Sequence, residues 1–117
     1  MSDYKDLNVW KESIVLVEDV YRLVKKFPKE EQYALSNQIR RAVVSIPSNI
    51  SEGANRNTNK EFIQFLYIAL GSASEVETQL IIAGRLEYIT DVDQVFKNIT
   101  KIRKMINALI RSIKQRQ

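Results

Sequence analysis

Apolar residues recur at steps of three and four along most of the 117-residue chain, the spacing that lines one face of an α-helix turning about 100° per residue. Leu7, Trp10, Ile14, Val17, Tyr21 and Val24 form the first such stripe and predict helix 1. Phe27-Pro28 stops it, because the residue before proline avoids the α region. Val9, Leu16, Val20, Leu23 and Phe27 widen the apolar face of the same helix. Leu35, Ile39, Ala42, Val43, Ile46 and Ile50 predict helix 2. Their phase carries through Pro47, which argues for one kinked helix rather than two.

Gly53 is placed to close helix 2 as a left-handed cap, and the polar run Asn55, Arg56, Asn57 reads as a connection. Thr58 and Glu61 then stand at capping-box spacing. Phe62, Leu66, Ala69, Ala73, Val76, Leu80 and Ala83 follow as the stripe of helix 3, with Gly84 expected to end it. Thr90 or Asp91 is expected to start helix 4, whose stripe is Val92, Val95, Ile99, Ile102, Ile106, Leu109 and Ile113. No segment alternates as a strand would. Four amphipathic helices with short connections predict an all-α, antiparallel up-and-down four-helix bundle with a proline-kinked second helix, occupying residues 1–117 as a single domain.

Composition narrows the chemistry. The chain has no His and no Cys, which excludes imidazole and thiolate metal sites, Cys or His nucleophiles and the Ser-His-Asp relay. Carboxylates remain, and hard cations accept all-oxygen sites. Glu75 and Glu77, however, are two apart and point to different faces, and no Glu-x-x-Glu pair lies on a predicted helix. Gly53, Gly71 and Gly84 are too scattered for a phosphate loop. Glu52, beside Asn49 and Arg56, reads as capping and solvation of a helix end. The expectation is a protein without catalytic residues, metal or cofactor. A carboxylate-metal enzyme is the weakest alternative.

The N-terminal residues carry both signs of charge without an apolar block, unlike a secretory signal, and the uncharged stretch from Phe62 to Ser74 is too short to span a bilayer. A cytoplasmic protein with no membrane role is expected.

Helix 3 carries no charge between Glu61 and Glu75, even on the side away from its core stripe. Ile63, Tyr67, Leu70, Gly71, Ser74, Thr78 and Ile82 lie there, contiguous rather than scattered, which predicts a homo-oligomer held through helices 1 and 3. Ile63, Tyr67, Leu70, Gly71, Ser74 and Thr78 are the expected interface residues. Glycine inside a helix costs roughly 1 kcal/mol against alanine. Gly71 therefore calls for a reason, either close approach of a second backbone or a bulky neighbour within the same bundle.

Charge is unevenly placed. Residues 94–117 hold seven basic side chains and no acid, leaving −3 for the remainder of a chain whose net charge is +4. Lys97, Lys101, Lys104 and Arg111 fall within about 80° of one another on helix 4, nearly opposite its apolar stripe. Such a stripe meets a polyanion or simply solvates an outer face. It lacks interleaved aromatics, so base-specific reading is not expected.

Several segments resemble the bacterial four-helix-bundle proteins named after 23S rRNA intervening sequences. These are Asp6-Leu7-Asn8-Val9-Trp10-Lys11, Gln38-Ile39-Arg40-Arg41-Ala42, Ser45-Ile46-Pro47-Ser48-Asn49-Ile50-Ser51-Glu52-Gly53, Phe65-Leu66-Tyr67-Ile68-Ala69-Leu70-Gly71-Ser72 and Glu75-Val76-Glu77-Thr78-Gln79-Leu80. The resemblance covers helices 1 to 3 and implies a ring, commonly a pentamer, with no established enzymatic activity. It also implies relationship to the accessory protein of diversity-generating retroelements, which works with a reverse transcriptase and RNA. RNA or DNA, or a reverse transcriptase-like protein, is the partner the resemblance implies. The sequence reading is thus an oligomeric binding or scaffolding module contacting nucleic acid through helix 4; a purely protein-binding scaffold is the alternative.

Overall fold

The computed structural model describes residues 3–116. Among them are four α-helices and no strand: α1 (Asn8–Val24), α2 (Leu35–Ala54), α3 (Asn59–Arg85) and α4 (Asp93–Gln115). Short 3₁₀ turns at Tyr4–Asp6 and Lys29–Glu31 precede α1 and α2. Each long helix packs on two others, α1 and α3 both lying against α2 and α4, while the diagonal pairs have no close backbone approach. The result is an elongated bundle of 48 × 24 × 19 Å.

Residue pairs across the seams give the register. Ser45 bonds Ser72 and Gly53 abuts Phe65 between α2 and α3, and Glu77 pairs with Arg103 while Tyr67 meets Lys114 between α3 and α4. In both seams residue numbers rise along one helix as they fall along the other.

The core is one continuous apolar cluster drawn from all four helices, with Leu16, Ile39, Ile46, Ile50, Leu66, Leu80, Ile99, Ile102, Ile106 and Ile113 fully buried at its axis. The stripes of helices 2, 3 and 4 match this burial. That of helix 1 does not. The residues turned inward are Val9, Ser13, Leu16, Val20, Leu23 and Phe27, and of the predicted stripe only Val24 joins them; Leu7, Trp10, Ile14 and Val17 are half-buried and Tyr21 is exposed. α1 is apolar over two stripes roughly 100° apart, and Ser13 interrupts the one that faces the core. Its hydroxyl stays satisfied by donating to the Trp10 carbonyl at 2.7 Å.

Punctuation also differs from the expectation at both capping glycines. Gly53 is an ordinary helical residue inside α2, and no glycine has positive φ. Gly84 likewise lies within α3. The left-handed residue that ends α3 is Glu87, at φ 65°. Behind it the amide of Tyr88 donates to the Ala83 carbonyl at 2.9 Å and that of Glu87 to the Gly84 carbonyl at 3.0 Å, the paired bonds of a Schellman ending.

Thr58 caps α3 as its spacing requires, accepting from the Glu61 amide at 3.2 Å. The Glu61 carboxylate accepts a hydrogen bond from the Thr58 hydroxyl, at 3.1 Å, instead of reaching the Thr58 amide. α4 begins at Asp93, later than Thr90 or Asp91, behind Val92, which makes no side-chain cap. α2 continues through Pro47, with Ile46 and Ile50 both buried. Just beyond, Asn49 Nδ2 donates to the carbonyl and hydroxyl of Ser45, both at 2.8 Å.

Candidate nucleic-acid interface

α4 has the cleanest division of faces in the molecule, with Val95, Ile99, Ile102, Ile106, Ile110 and Ile113 buried and bases on the far side. Lys97, Lys101, Lys104 and Arg111 are all exposed there. They are not equivalent. Lys101 Nζ lies 3.0 Å from a Glu12 carboxylate oxygen on α1, so its charge is locally answered. Among the described residues, Lys97, Lys104 and Arg111 have no carboxylate within salt-bridge distance. Residues 97 and 111 are separated by 14 helical positions, which at 1.5 Å per residue places the three free charges along roughly 20 Å.

The other bases of α4 turn toward α3. Arg103 Nη2 pairs with Glu77 at 3.0 Å, both side chains about 30% exposed, and holds the α3–α4 seam. Lys114 Nζ reaches the Tyr67 hydroxyl at 3.3 Å and sits 5.9 Å from the ring centroid. Lys114 thus joins the end of the basic face to the exposed side of α3.

On that side the sequence-derived interface residues divide. Tyr67, Gly71, Ser74 and Thr78 are exposed. Leu70 is half-buried against the core, and Ile63 is only 9% exposed, turned into the chain's own interior. Their places on the outer surface are taken by Ile68, Ile81 and Leu86, which with Tyr67 and Ile82 are each 44–52% exposed. Ile81 and Leu86 lie near the end of α3, beyond the uncharged stretch that drew attention to Tyr67 and Gly71. A Cβ built on Gly71 meets nothing within 4 Å, so no neighbour within the chain accounts for a glycine there. The helix 1 residues assigned to the same interface, Val9, Leu16, Val20, Leu23 and Phe27, are buried in the core and are withdrawn from it.

Sequence reasoning missed a second groove, between α1 and α2. Trp10, Ile14 and Val17 face Val44, Pro47, Ser48 and Ser51 across a cleft of about 260 Å³, and a neighbouring cleft of about 340 Å³ is lined by Tyr21, Asn37, Arg40, Arg41 and Val44. The misassigned stripe of helix 1 forms one wall, and only the burial of the neighbouring stripe makes it visible.

Among the described residues no cluster of three acidic side chains is placed to hold a metal ion, and no helix is long and apolar enough to cross a membrane. The fold and surface define an all-helical bundle with a basic outer helix and an uncharged ridge. The chain belongs to the 23S rRNA-intervening sequence protein family, whose model matches residues 5–108. A solved structure from Bacteroides thetaiotaomicron, described as a protein of unknown function from the S23 ribosomal protein family, is 31% identical in sequence. It superposes with a TM-score of 0.80, the match covering 88% of this chain and 95% of that one. No functionally curated protein matches the chain.

Proposed function

We propose that this protein is a non-enzymatic, self-associating helical bundle that contacts RNA or DNA, or an enzyme acting on them, through the outer face of α4. The observation that carries this reading is the row formed by Lys97, Lys104 and Arg111, exposed and without carboxylate partners. A linear array of free cations on a rigid helix suits a phosphate backbone, because each contact releases condensed counterions and needs no base to be read. Self-association is part of the same reading: copies joined through the exposed α3 ridge repeat the basic face, and weak contacts then add by avidity. The alternative, a purely protein-binding scaffold, uses the same ridge and leaves the α4 face to solvent.

Titration of a labelled generic RNA in low salt tests the reading. Wild type should bind, and replacement of Lys97, Lys101, Lys104 and Arg111 by Glu should abolish binding with helical content and light-scattering mass unchanged. Absence of wild-type binding to RNA and DNA, or undiminished binding by the variant, selects the scaffold alternative.

A further inference from the structure

Among the described lysines and arginines only Arg40 and Arg103 are half-buried rather than exposed. Arg103 has Glu77 as its counter-charge. Arg40 has none within salt-bridge distance, although its side chain is held in place: Nη2 donates to Gln32 Oε1 at 3.2 Å, and the guanidinium lies 5.8 Å from the Tyr21 ring centroid. A positioned, half-buried cation without an anion is an unfinished arrangement, since withdrawing a charge from water is ordinarily offset by a partner. Arg41, exposed and equally without a carboxylate partner, follows it on α2 and lines the same cleft of about 340 Å³ with Asn37, Tyr21 and Val44.

We propose that this cleft between α1 and α2 binds single-stranded nucleic acid, with one phosphate on Arg40 and Arg41 and the adjoining base against Tyr21. Arginine's planar fork matches phosphate oxygens. Tyr21 is 37% exposed, so part of its ring is open to a base, and stacking on an aromatic side chain needs an unpaired base, because a duplex keeps its faces occupied. Asn37 adds amide donors and an acceptor at the rim, and Val44, 39% exposed, gives an apolar floor. A volume near 340 Å³ is at the lower end for ligand sites, as one nucleotide of a longer strand requires.

The inference rests on the nucleic-acid reading above but assigns a different face, since α2 makes no close approach to α4. Tyr21 stands on α1, away from the basic stripe of α4.

The test uses a fluorescein-labelled six-nucleotide single-stranded RNA, titrated into wild type, Arg40→Gln, Tyr21→Leu and the α4 quadruple Glu variant, with circular dichroism confirming the fold. Arg40→Gln and Tyr21→Leu should each weaken binding about tenfold, the loss of one stacked base or one charge-assisted contact. Uridine monophosphate should compete better than inorganic phosphate and should shift the Asn37 side-chain amide resonances of the wild type. If both variants bind like wild type while the α4 variant does not, the cleft is no nucleotide site and the α4 reading stands. If inorganic phosphate competes as well as the nucleotide, no base is held and the proposal fails. If wild type binds no nucleic acid at all, both readings fall together. Should Tyr21→Leu lose its helical content, Tyr21→Phe, which keeps the ring, must retain binding; a tenfold loss there overturns the stacking role.

Discussion

Gly53 and Phe65 hold α2 and α3 at a separation that admits no side chain between them: a Cβ built on Gly53 would lie 2.7 Å from Cβ of Phe65 and 3.2 Å from the Phe62 carbonyl oxygen. Neither atom can swing aside, because one is fixed to the backbone and the other is backbone. Gly53→Ala is therefore expected to destabilise the bundle by roughly 1–2 kcal/mol, overpacking outweighing the helix propensity gained. The urea midpoint of the variant checks this. A midpoint above wild type would mean the seam opens without cost.

Gly71 is the opposite case. Its missing Cβ would enter open space, so Gly71→Ala should raise the stability of the bundle by about 0.5–1 kcal/mol through propensity alone. Gly71→Leu should keep the helical content and lower the mass seen by light scattering, which for wild type at micromolar concentration is expected at several times 13.6 kDa. A monomeric wild type, or full assembly of Gly71→Leu, would remove the ridge from any interface.

Glu87 occupies the left-handed position at the end of α3, where a Cβ is disfavoured and glycine is not. Glu87→Gly should stabilise the protein by about 0.5–1 kcal/mol, read as a higher thermal midpoint. A lower midpoint would show that the glutamate side chain makes a contribution beyond its backbone strain.

Tyr88 joins the two connections at one end of the bundle. Its hydroxyl donates to a Glu31 carboxylate oxygen at 2.8 Å, and its ring lies 5.6 Å from that of Phe27. The hydrogen bond to Glu31, with desolvation and the negative charges of Glu31 and Glu30, raises the phenol above its ordinary value near 10. The folded state thus favours the protonated phenol, so this stabilisation is complete below about pH 10 and is lost as pH rises through the raised value. Tyr88→Phe should melt below wild type at pH 7, with the difference shrinking as the phenol ionises. A difference that persists unchanged at pH 11 would assign it to packing instead.

The sequence was legible where one stripe dominated. Helices 2 and 4 each have a single apolar face, so Ile39 and Ile106 could be placed inside from spacing alone; the core stripe of helix 3 likewise placed Leu66, but its apolar back put Ile63 on the outside, where it is not. α1 defeated the same reasoning because Trp10, Ile14 and Val17 are as apolar as Leu16, Val20 and Leu23, and periodicity ranks neither stripe over the other. The glycines were misread for a related reason. A glycine near a helix end is consistent with a cap, but the requirement at Gly53 comes from Phe65, distant in sequence, and that at the end of α3 is met by Glu87 without glycine. The basic face of α4 was visible from spacing. Its internal differences were not, because Lys101 is answered by Glu12 on another helix.

That last difference gives the most direct test of the central claim, that α4 contacts nucleic acid through its free cations. The measurement is the dependence of RNA affinity on salt concentration for wild type and for Lys97→Gln, Lys101→Gln, Lys104→Gln and Arg111→Gln taken singly. Each contact to a single strand contributes about 0.7 to the slope of log affinity against log salt. Lys97, Lys104 and Arg111 should each remove about that amount, and Lys101, held by Glu12, distinctly less. Equal slopes for all four variants and wild type would contradict the account and leave the stripe a solvated face.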